Sequence, residues 1–166
     1  MRLIAVMTAA LLGGLFHPAP KPTATQVYAV GEWRLTVVTD TFTKQVRCRL
    51  ENHNGRHPDV TAVPGALAFK LGRGVDTSDA WYRIDDQPAR PWRDLRAELV
   101  ATGSLAAAER LDNPSAGSMV LPDRKLNGAT EVNVQPTQSA RTKSFRLNGF
   151  WTSLSSAENL GCQFSN

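Results

Sequence analysis

The stretch AWYRIDDQPARPW, at residues 80–92, combines a strand signal, an acidic pair, two prolines and two tryptophans. Residues 81–84 predict a strand, because aromatic and β-branched side chains suit the pleated surface of a sheet. The Asp-Asp-Gln-Pro run at residues 85–88 predicts the turn that ends this strand. The stretch therefore indicates a β-structure that the chain leaves through a charged and aromatic loop.

Segments with an apolar residue at every second position occur on both sides of this stretch. Such alternation predicts half-buried strands at residues 33–38, 46–50, 67–71, 132–134 and 145–149, and the short apolar run at residues 119–121 is a further strand candidate. Short helices are predicted at residues 105–111 and 152–160, while residues 94–100 suit either a helix or a strand. Asn, Gly and Pro punctuate residues 51–64 and predict a loop. Many short strands with one to three short helices favour an all-β fold, an antiparallel β-sandwich.

The N-terminal segment differs from the rest of the chain. Arg2 supplies a positive charge, residues 3–16 form an apolar run without a formal charge, and small residues follow. This layout is typical of a secretory signal peptide, and the apolar run is too short to span a bilayer as a helix. We predict a signal peptide and spacer at residues 1–29, with cleavage near Ala29, and a single domain at residues 30–166. After cleavage no membrane span is expected.

Export changes the interpretation of the charge. Loss of residues 1–29 removes Arg2 and Lys21 and no acid, which leaves 17 cations against 15 acids and lowers the formal charge from +4 to +2. The remaining cations are scattered and form no dense basic run. Nucleic acid is therefore not an expected partner, because binding to it depends on clustered cations that neutralise phosphates.

Cys48 and Cys162 are the only cysteines of the chain. An even number of cysteines in an exported chain predicts a disulfide, here between an early strand and the C-terminus. The alternative is a pair of separate buried thiols. A catalytic thiol pair normally has Cys-x-x-Cys spacing, which this chain lacks.

The chain offers few groups for metal binding or nucleophilic catalysis. His53 and His57 have the spacing that would align two imidazoles on a helix, and Asp59 could add an oxygen ligand. Gly55 and Pro58 argue against a helix there, so we predict a solvated loop, no metal and no other cofactor. The nucleophile elbow, the phosphate loop and the zinc-protease motif are all absent from the sequence.

The charged and aromatic loop provides the candidate contact surface. Asp85 and Asp86 are a poor acid–base pair, because adjacent residues on an extended chain point to opposite faces. One of them is expected to bind turn amides or a neighbouring arginine. Trp92 is either an exposed contact anchor or the partner of a stacked arginine. The predicted surface consists of Arg83, Asp85, Asp86, Arg90, Trp92 and Arg93.

Several features occur in a characteristic order. They are the leader, Gly-Glu-Trp at residues 31–33, Cys48, Asp85 in a central strand, and Phe-Arg-Leu-Asn-Gly-Phe at residues 145–150 before a terminal helix. From residue 31 to residue 162 this order resembles the invasion-associated locus B family of exported proteobacterial proteins. The resemblance implies a periplasmic or surface-associated β-sandwich without a known catalytic centre, some members being linked to host-cell invasion.

These observations predict an exported protein, periplasmic or secreted, that acts by binding rather than by catalysis. Its expected partner is a protein or another envelope component. The alternative is a periplasmic hydrolase or metal-dependent enzyme that uses Asp85 or Asp86 together with His53 and His57. The two hypotheses differ in geometry, since an enzyme requires these acids and histidines to converge in one pocket.

Overall fold

The computed structural model describes residues 23–52, 59–101 and 117–164. Its strands are β1 Thr23–Val30, β2 Trp33–Asp40, β3 Val46–Asn52, β4 Val60–Val63, β5 Ala66–Lys70, β6 Trp81–Ile84, β7 Arg90–Pro91, β8 Ser118–Pro122, β9 Glu131–Gln135 and β10 Lys143–Arg146. Its helices are a 3₁₀ helix at Trp92–Leu95, α1 at Arg96–Ala101, a second 3₁₀ helix at Asp123–Leu126, and α2 at Phe150–Asn159.

The strands form two sheets. One has six strands in the order β1-β2-β3-β4-β5-β8, and the other has four in the order β10-β9-β6-β7. Neighbouring strands are antiparallel in both sheets. The predicted all-β fold, an antiparallel sandwich with a few short helices, is therefore confirmed.

The core lies between the two sheets; strands such as β2 and β6 contribute alternate residues to it, whereas all five residues of β8 are buried. Leu35 of the six-stranded sheet and Val132 and Val134 of the four-stranded sheet are all almost completely buried. The rings of Phe69 and Phe145 bring β5 and β10 together, with centroids 5.2 Å apart in an edge-to-face arrangement. Alternation in the sequence thus determines which face of each sheet is covered.

The C-terminal part of the chain closes one end of the sandwich. Helix α2 begins after Gly149, which has a φ of 76°, and its first residue Phe150 packs against Trp33 with ring centroids 5.0 Å apart. Gly161 follows the helix with a φ of 82°, as expected for a glycine that ends a helix. The predicted disulfide is confirmed: Cys48 of β3 and Cys162 are bonded, with Cα atoms 5.6 Å apart.

The structure adds a strand within the predicted spacer and corrects the predicted loop at residues 51–64. Residues 23–29, assigned to the leader and spacer, form β1 together with Val30 and pair with β2 along the whole strand. The side chains of β1 are mostly exposed, and its sequence has no regular alternation of apolar residues from which a strand could be predicted. Cleavage near Ala29 would remove most of β1, and the position of cleavage stays a prediction.

The predicted loop at residues 51–64 is wrong at both ends. Glu51 and Asn52 belong to β3, and Val60–Val63 forms β4, whose alternate residues Val60 and Ala62 are buried. Residues 53–58 lie outside the described residues, as does the helix predicted at residues 105–111. Residues 94–100 are helical rather than extended.

Candidate binding surface

Strand β6 carries the first residues of this surface, and its alternation decides which of them reach solvent. Tyr82 and Ile84 are buried in the core, whereas Trp81 and Arg83 lie on the outer face of the four-stranded sheet. Trp81 is 36% exposed, although it is flanked in the sheet by Pro91 of β7 and by a residue of β9. The outer face of β6 therefore presents an aromatic ring beside a cation.

Asp85 directly follows β6 and forms hydrogen bonds with Thr130 and Glu131 at the start of β9. Its Oδ1 accepts hydrogen bonds from the hydroxyl of Thr130 at 2.8 Å, from the amide of Thr130 at 3.0 Å and from the amide of Glu131 at 2.9 Å. The hydrogen bond from the Thr130 hydroxyl is the main cause that lowers the pKa of Asp85; slight desolvation opposes it and the two amides add to it. Asp85 is therefore an internal acceptor, as the sequence suggested for one aspartate, although the amides belong to Thr130, just before β9, and to Glu131, its first residue, rather than to the turn.

The remaining charged residues of the predicted surface are exposed. Asp86 lies in the turn after β6, Arg90 in β7, and Arg93 in the 3₁₀ helix that follows. None of the three arginines of the predicted surface forms an ion pair within residues 23–52, 59–101 and 117–164. Their guanidinium groups are thus available to a ligand or partner.

Trp92 does not belong to this surface, so the prediction of an exposed Trp92 is wrong. The side chain is 1% exposed, and its Nε1–H donates a hydrogen bond of 2.9 Å to the carbonyl oxygen of Val120 in β8. No cation of the described chain stacks on the ring. Trp92 is the first residue of the 3₁₀ helix, and the turn of the backbone there directs the indole into the core instead of onto the loop surface.

Trp81 separates two neighbouring clefts. The larger has a volume of about 600 Å³, and the smaller one of about 170 Å³. The larger cleft is lined by residues that include Asp79, Trp81, Arg93, Thr137, Gln138 and Ser139. The smaller cleft is lined by residues that include Trp81, Arg83, Asn133, Gln135 and Thr142. Among the described residues, Trp81 is the one that lines both clefts. Each cleft also contains an arginine without an ion-pair partner in the described chain, Arg93 in the larger and Arg83 in the smaller.

Hydrogen bonds hold the walls of both clefts in place. The amide nitrogen Nε2 of Gln135 donates to the carbonyl oxygens of Gln138 at 3.0 Å and Ala140 at 3.2 Å, which fixes the loop between β9 and β10. Asn133 donates to Oε1 of Glu131 at 2.6 Å and accepts a hydrogen bond from the hydroxyl of Ser144. Such a preformed arrangement lowers the entropy lost on binding.

Of the residues proposed for an enzymatic or metal site, the structure describes the aspartates and not the histidines. Asp85 is bound to β9, and Asp59 forms an ion pair with Nζ of Lys143 at 3.1 Å. His53 and His57 lie outside the described residues. Among the residues that are described, no three histidine, cysteine, aspartate or glutamate side chains are grouped as metal ligands would be.

Sequence reasoning selected Trp92 and overlooked Trp81. The signal that could have found Trp81 was present, because Tyr82 and Ile84 alternate with Trp81 and Arg83, and the arginine marks the solvent face. The hydroxyl and amide groups at residues 137–142 were not selected from the sequence as site residues. Their contribution depends on the pairing of β9 with β6 and β10, which brings this loop beside Trp81.

Comparisons with known proteins identify no relative. A scan against protein-family models, a search of curated proteins and a search of solved structures each returned no match. The resemblance to the invasion-associated locus B family therefore stays a prediction. Within the described residues, no helix has the length and apolar character needed to cross a membrane.

Proposed function

We propose that this protein is an exported, non-enzymatic binding protein of the periplasm or cell surface. Its binding site is the outer face of the four-stranded sheet around Trp81, Arg83 and Arg93. The observation that carries the proposal is the exposed indole of Trp81 between two clefts, each of which has an arginine without an ion-pair partner in the described chain. Tryptophan and arginine are the residue types most enriched at energetically important contacts.

The compartment is supported by two independent features of the chain. The first residues have the layout of a signal peptide, with one cation followed by an apolar run. The disulfide between Cys48 and Cys162 is typical of proteins that function in an oxidising environment. The resemblance to an exported family points to the same compartment and supplies no ligand.

Catalysis has no comparable support. The carboxylate of Asp85 accepts three hydrogen bonds from Thr130 and Glu131, and these bonds stabilise its ionised form. A general acid or base at neutral pH needs a pKa near the working pH, and that of Asp85 is lowered below the ordinary value. Asp85, one of the two acids named in the alternative enzyme hypothesis, thus has a structural role.

Photo-crosslinking in the producing cell tests the proposal. A benzophenone amino acid replaces Ser139, which lines the larger cleft, and in a matched control it replaces Phe42, an exposed residue in the turn between β2 and β3 of the other sheet. We expect a crosslinked envelope component at Ser139 that is absent at Phe42 and is lost when Trp81→Ala is added. Equal crosslinking at both positions, or none at Ser139, would contradict the proposal.

A further inference from the structure

We infer that the two clefts around Trp81 bind a short acidic oligosaccharide. One sugar ring would lie against the indole, its hydroxyl groups would contact the polar walls, and a carboxylate or phosphate would lie at Arg83 or Arg93. This inference rests on the proposed function, because it names the ligand class of the same site. Three properties of the site support it: the single exposed ring, the composition of the walls and the unpaired cations.

The exposed ring suits a ligand with one apolar face. A pyranose presents a patch of C–H groups on one face and hydroxyl groups around its edge, so it can pack on an aromatic ring while its edge stays hydrogen-bonded. Trp81 is 36% exposed and lies between two clefts rather than at the bottom of an apolar pocket. An indole in this position can pack against one sugar ring, and the two clefts that it lines can take the groups attached to that ring.

The walls favour a ligand rich in hydroxyl groups. The larger cleft has the hydroxyls of Ser78, Thr137 and Ser139 and the amide of Gln138. In the smaller cleft the amide groups of Asn133 and Gln135 already bond within the protein, which leaves the hydroxyl of Thr142 and the side-chain oxygen of Gln135 for a ligand. Pockets for apolar small molecules are lined mainly by hydrophobic side chains with few polar groups, whereas polar and apolar residues together line these two clefts. Uncharged donors and acceptors in this number match the alternating donor and acceptor character of sugar hydroxyls.

The cations indicate a negative charge on the ligand. Arg83 lines the smaller cleft and Arg93 the larger, and neither has an ion-pair partner in the described chain. Asp79 is the one acidic side chain among the described residues lining either cleft, so the arginines outnumber the acids. A guanidinium binds a carboxylate or a phosphate with two parallel hydrogen bonds, which a neutral sugar cannot offer.

The size of the clefts favours a small ligand over a folded protein. A stable protein–protein interface buries about 800 Å² on each partner over a broad surface, whereas pockets for small ligands have volumes of about 300–1,000 Å³. The larger cleft, at about 600 Å³, is within the second range. The smaller cleft adds room for one further substituent on the Arg83 side of Trp81.

The experiment uses an array of immobilised oligosaccharides that carry uronate, sialate or phosphate groups, each beside a neutral oligosaccharide of equal length. The strongest binder is then measured by calorimetry. We expect binding to acidic members, with the affinity lowered about tenfold or more by Trp81→Ala and about tenfold by Arg83→Gln. Matched controls are Phe42→Ala, which removes another exposed aromatic ring, and Arg47→Gln, which removes an exposed arginine of β3. Neither control should change the affinity.

The inference is overturned if no array member binds, if neutral members bind as well as acidic ones, or if Trp81→Ala leaves binding intact. Circular dichroism of each variant verifies that the fold is retained, and Trp81→Phe, which keeps an aromatic face, should restore part of the affinity. Failure here is distinguishable from failure of the proposed function. A crosslinked protein at Ser139 would leave the binding function standing and refute the saccharide, whereas no crosslink would refute the binding function itself.

Discussion

Trp81 and Trp92 lie at the two ends of one strand–turn–strand segment, and they have opposite environments. Trp81 is 36% exposed on the outer face of β6, while Trp92 is 1% exposed. The backbone amide of Trp92 donates to the carbonyl oxygen of Ala80 at 2.8 Å, so the two residues are also close across the sheet edge. Residue type and nearness in the fold therefore do not determine whether a tryptophan contributes to the core or to a surface.

The difference arises from the backbone around each residue. Trp81 is held outward because its strand neighbours Tyr82 and Ile84 face the core. Trp92 begins a 3₁₀ helix in which it and Leu95 are both buried. Burying an indole N–H without an acceptor would destabilise the fold by about 1–3 kcal/mol, and the carbonyl of Val120 prevents this.

The largest effect is expected for Trp92→Ala. It should lower the free energy of unfolding by about 3–5 kcal/mol, because it leaves a large cavity in the core. Trp81→Ala is the matched control and should lower this free energy by no more than about 1 kcal/mol, since the residue is partly exposed. Urea denaturation measures both. If both variants lost the same free energy of unfolding, the assignment of Trp92 to the core and of Trp81 to the surface would be wrong.

Removal of the disulfide should have the next largest effect. Cys48 and Cys162 are 114 residues apart in the chain, so the bond restricts the unfolded state strongly, and the double serine variant should lose about 2–4 kcal/mol of stability. The bond joins β3 to the chain after α2, in the six-stranded half of the sandwich. Oligosaccharide binding at Trp81 should therefore be retained by the folded variant. A loss of binding would contradict the conclusion that the disulfide and the Trp81 surface belong to separate regions of the fold.

Asp85→Asn tests the turn that separates the two tryptophans. Because hydrogen bonds lower the pKa of Asp85 in the folded state, the ionised group stabilises the fold above its ordinary pKa, and this contribution is lost as the pH falls through the lowered value. The variant should be less stable at pH 7 by about 1 kcal/mol, a modest figure because the group is solvent-screened. The difference should narrow toward pH 3 and below.

Asp86→Asn is the matched control for the Asp85 variant. The two acids are adjacent, but Asp86 is exposed and accepts no hydrogen bond from a described residue. Thermal unfolding of the wild type and both variants at pH 7, 5 and 3 supplies the comparison. If the Asp85 and Asp86 variants followed the same pH dependence, the bonds from Thr130 and Glu131 would have no role in stability.

The smallest effect is optical and leaves stability nearly unchanged. Trp81→Phe should remove the part of the tryptophan fluorescence that acrylamide quenches most readily, since the indole of Trp81 is the exposed member of the pair. Its free energy of unfolding should change by no more than about 0.5 kcal/mol. Trp92→Phe should leave the readily quenched part in place. If Trp81→Phe and Trp92→Phe reduced the acrylamide quenching equally, the assignment of Trp81 as exposed and Trp92 as buried would be contradicted.

Local sequence was sufficient for much of the fold. Strand β6 has the predicted bounds because its alternation and the Asp-Asp-Gln-Pro turn are both local properties. The disulfide was also predictable, as two cysteines allow one intramolecular pairing. Strand β1 was missed because its mostly exposed side chains carry no apolar period, and it is recognisable only through its pairing with β2.

The candidate site was only partly predictable. Arg83 and Arg93 were predicted as surface residues from the charged composition of their window, and both are exposed. Asp85 was predicted from the same window, but its carboxylate accepts a hydrogen bond from the first residue of β9. Trp92 was selected because it follows Pro91 in an arginine-rich loop, yet it is buried. Composition identifies residues with strong interaction potential, but it does not say whether their partners lie inside the protein or outside.

The sequence by itself determined the class of fold and the position of the disulfide, because alternation, turn residues and cysteine number act through local geometry and chain connectivity. Only the tertiary structure decided which tryptophan is exposed. Pairing of β6 with β9 brings Trp81 beside the loop at residues 137–142, and the edge of β8 supplies the carbonyl that receives the indole of Trp92. Both contacts join residues far apart in the chain, and a single window of sequence contains neither of them.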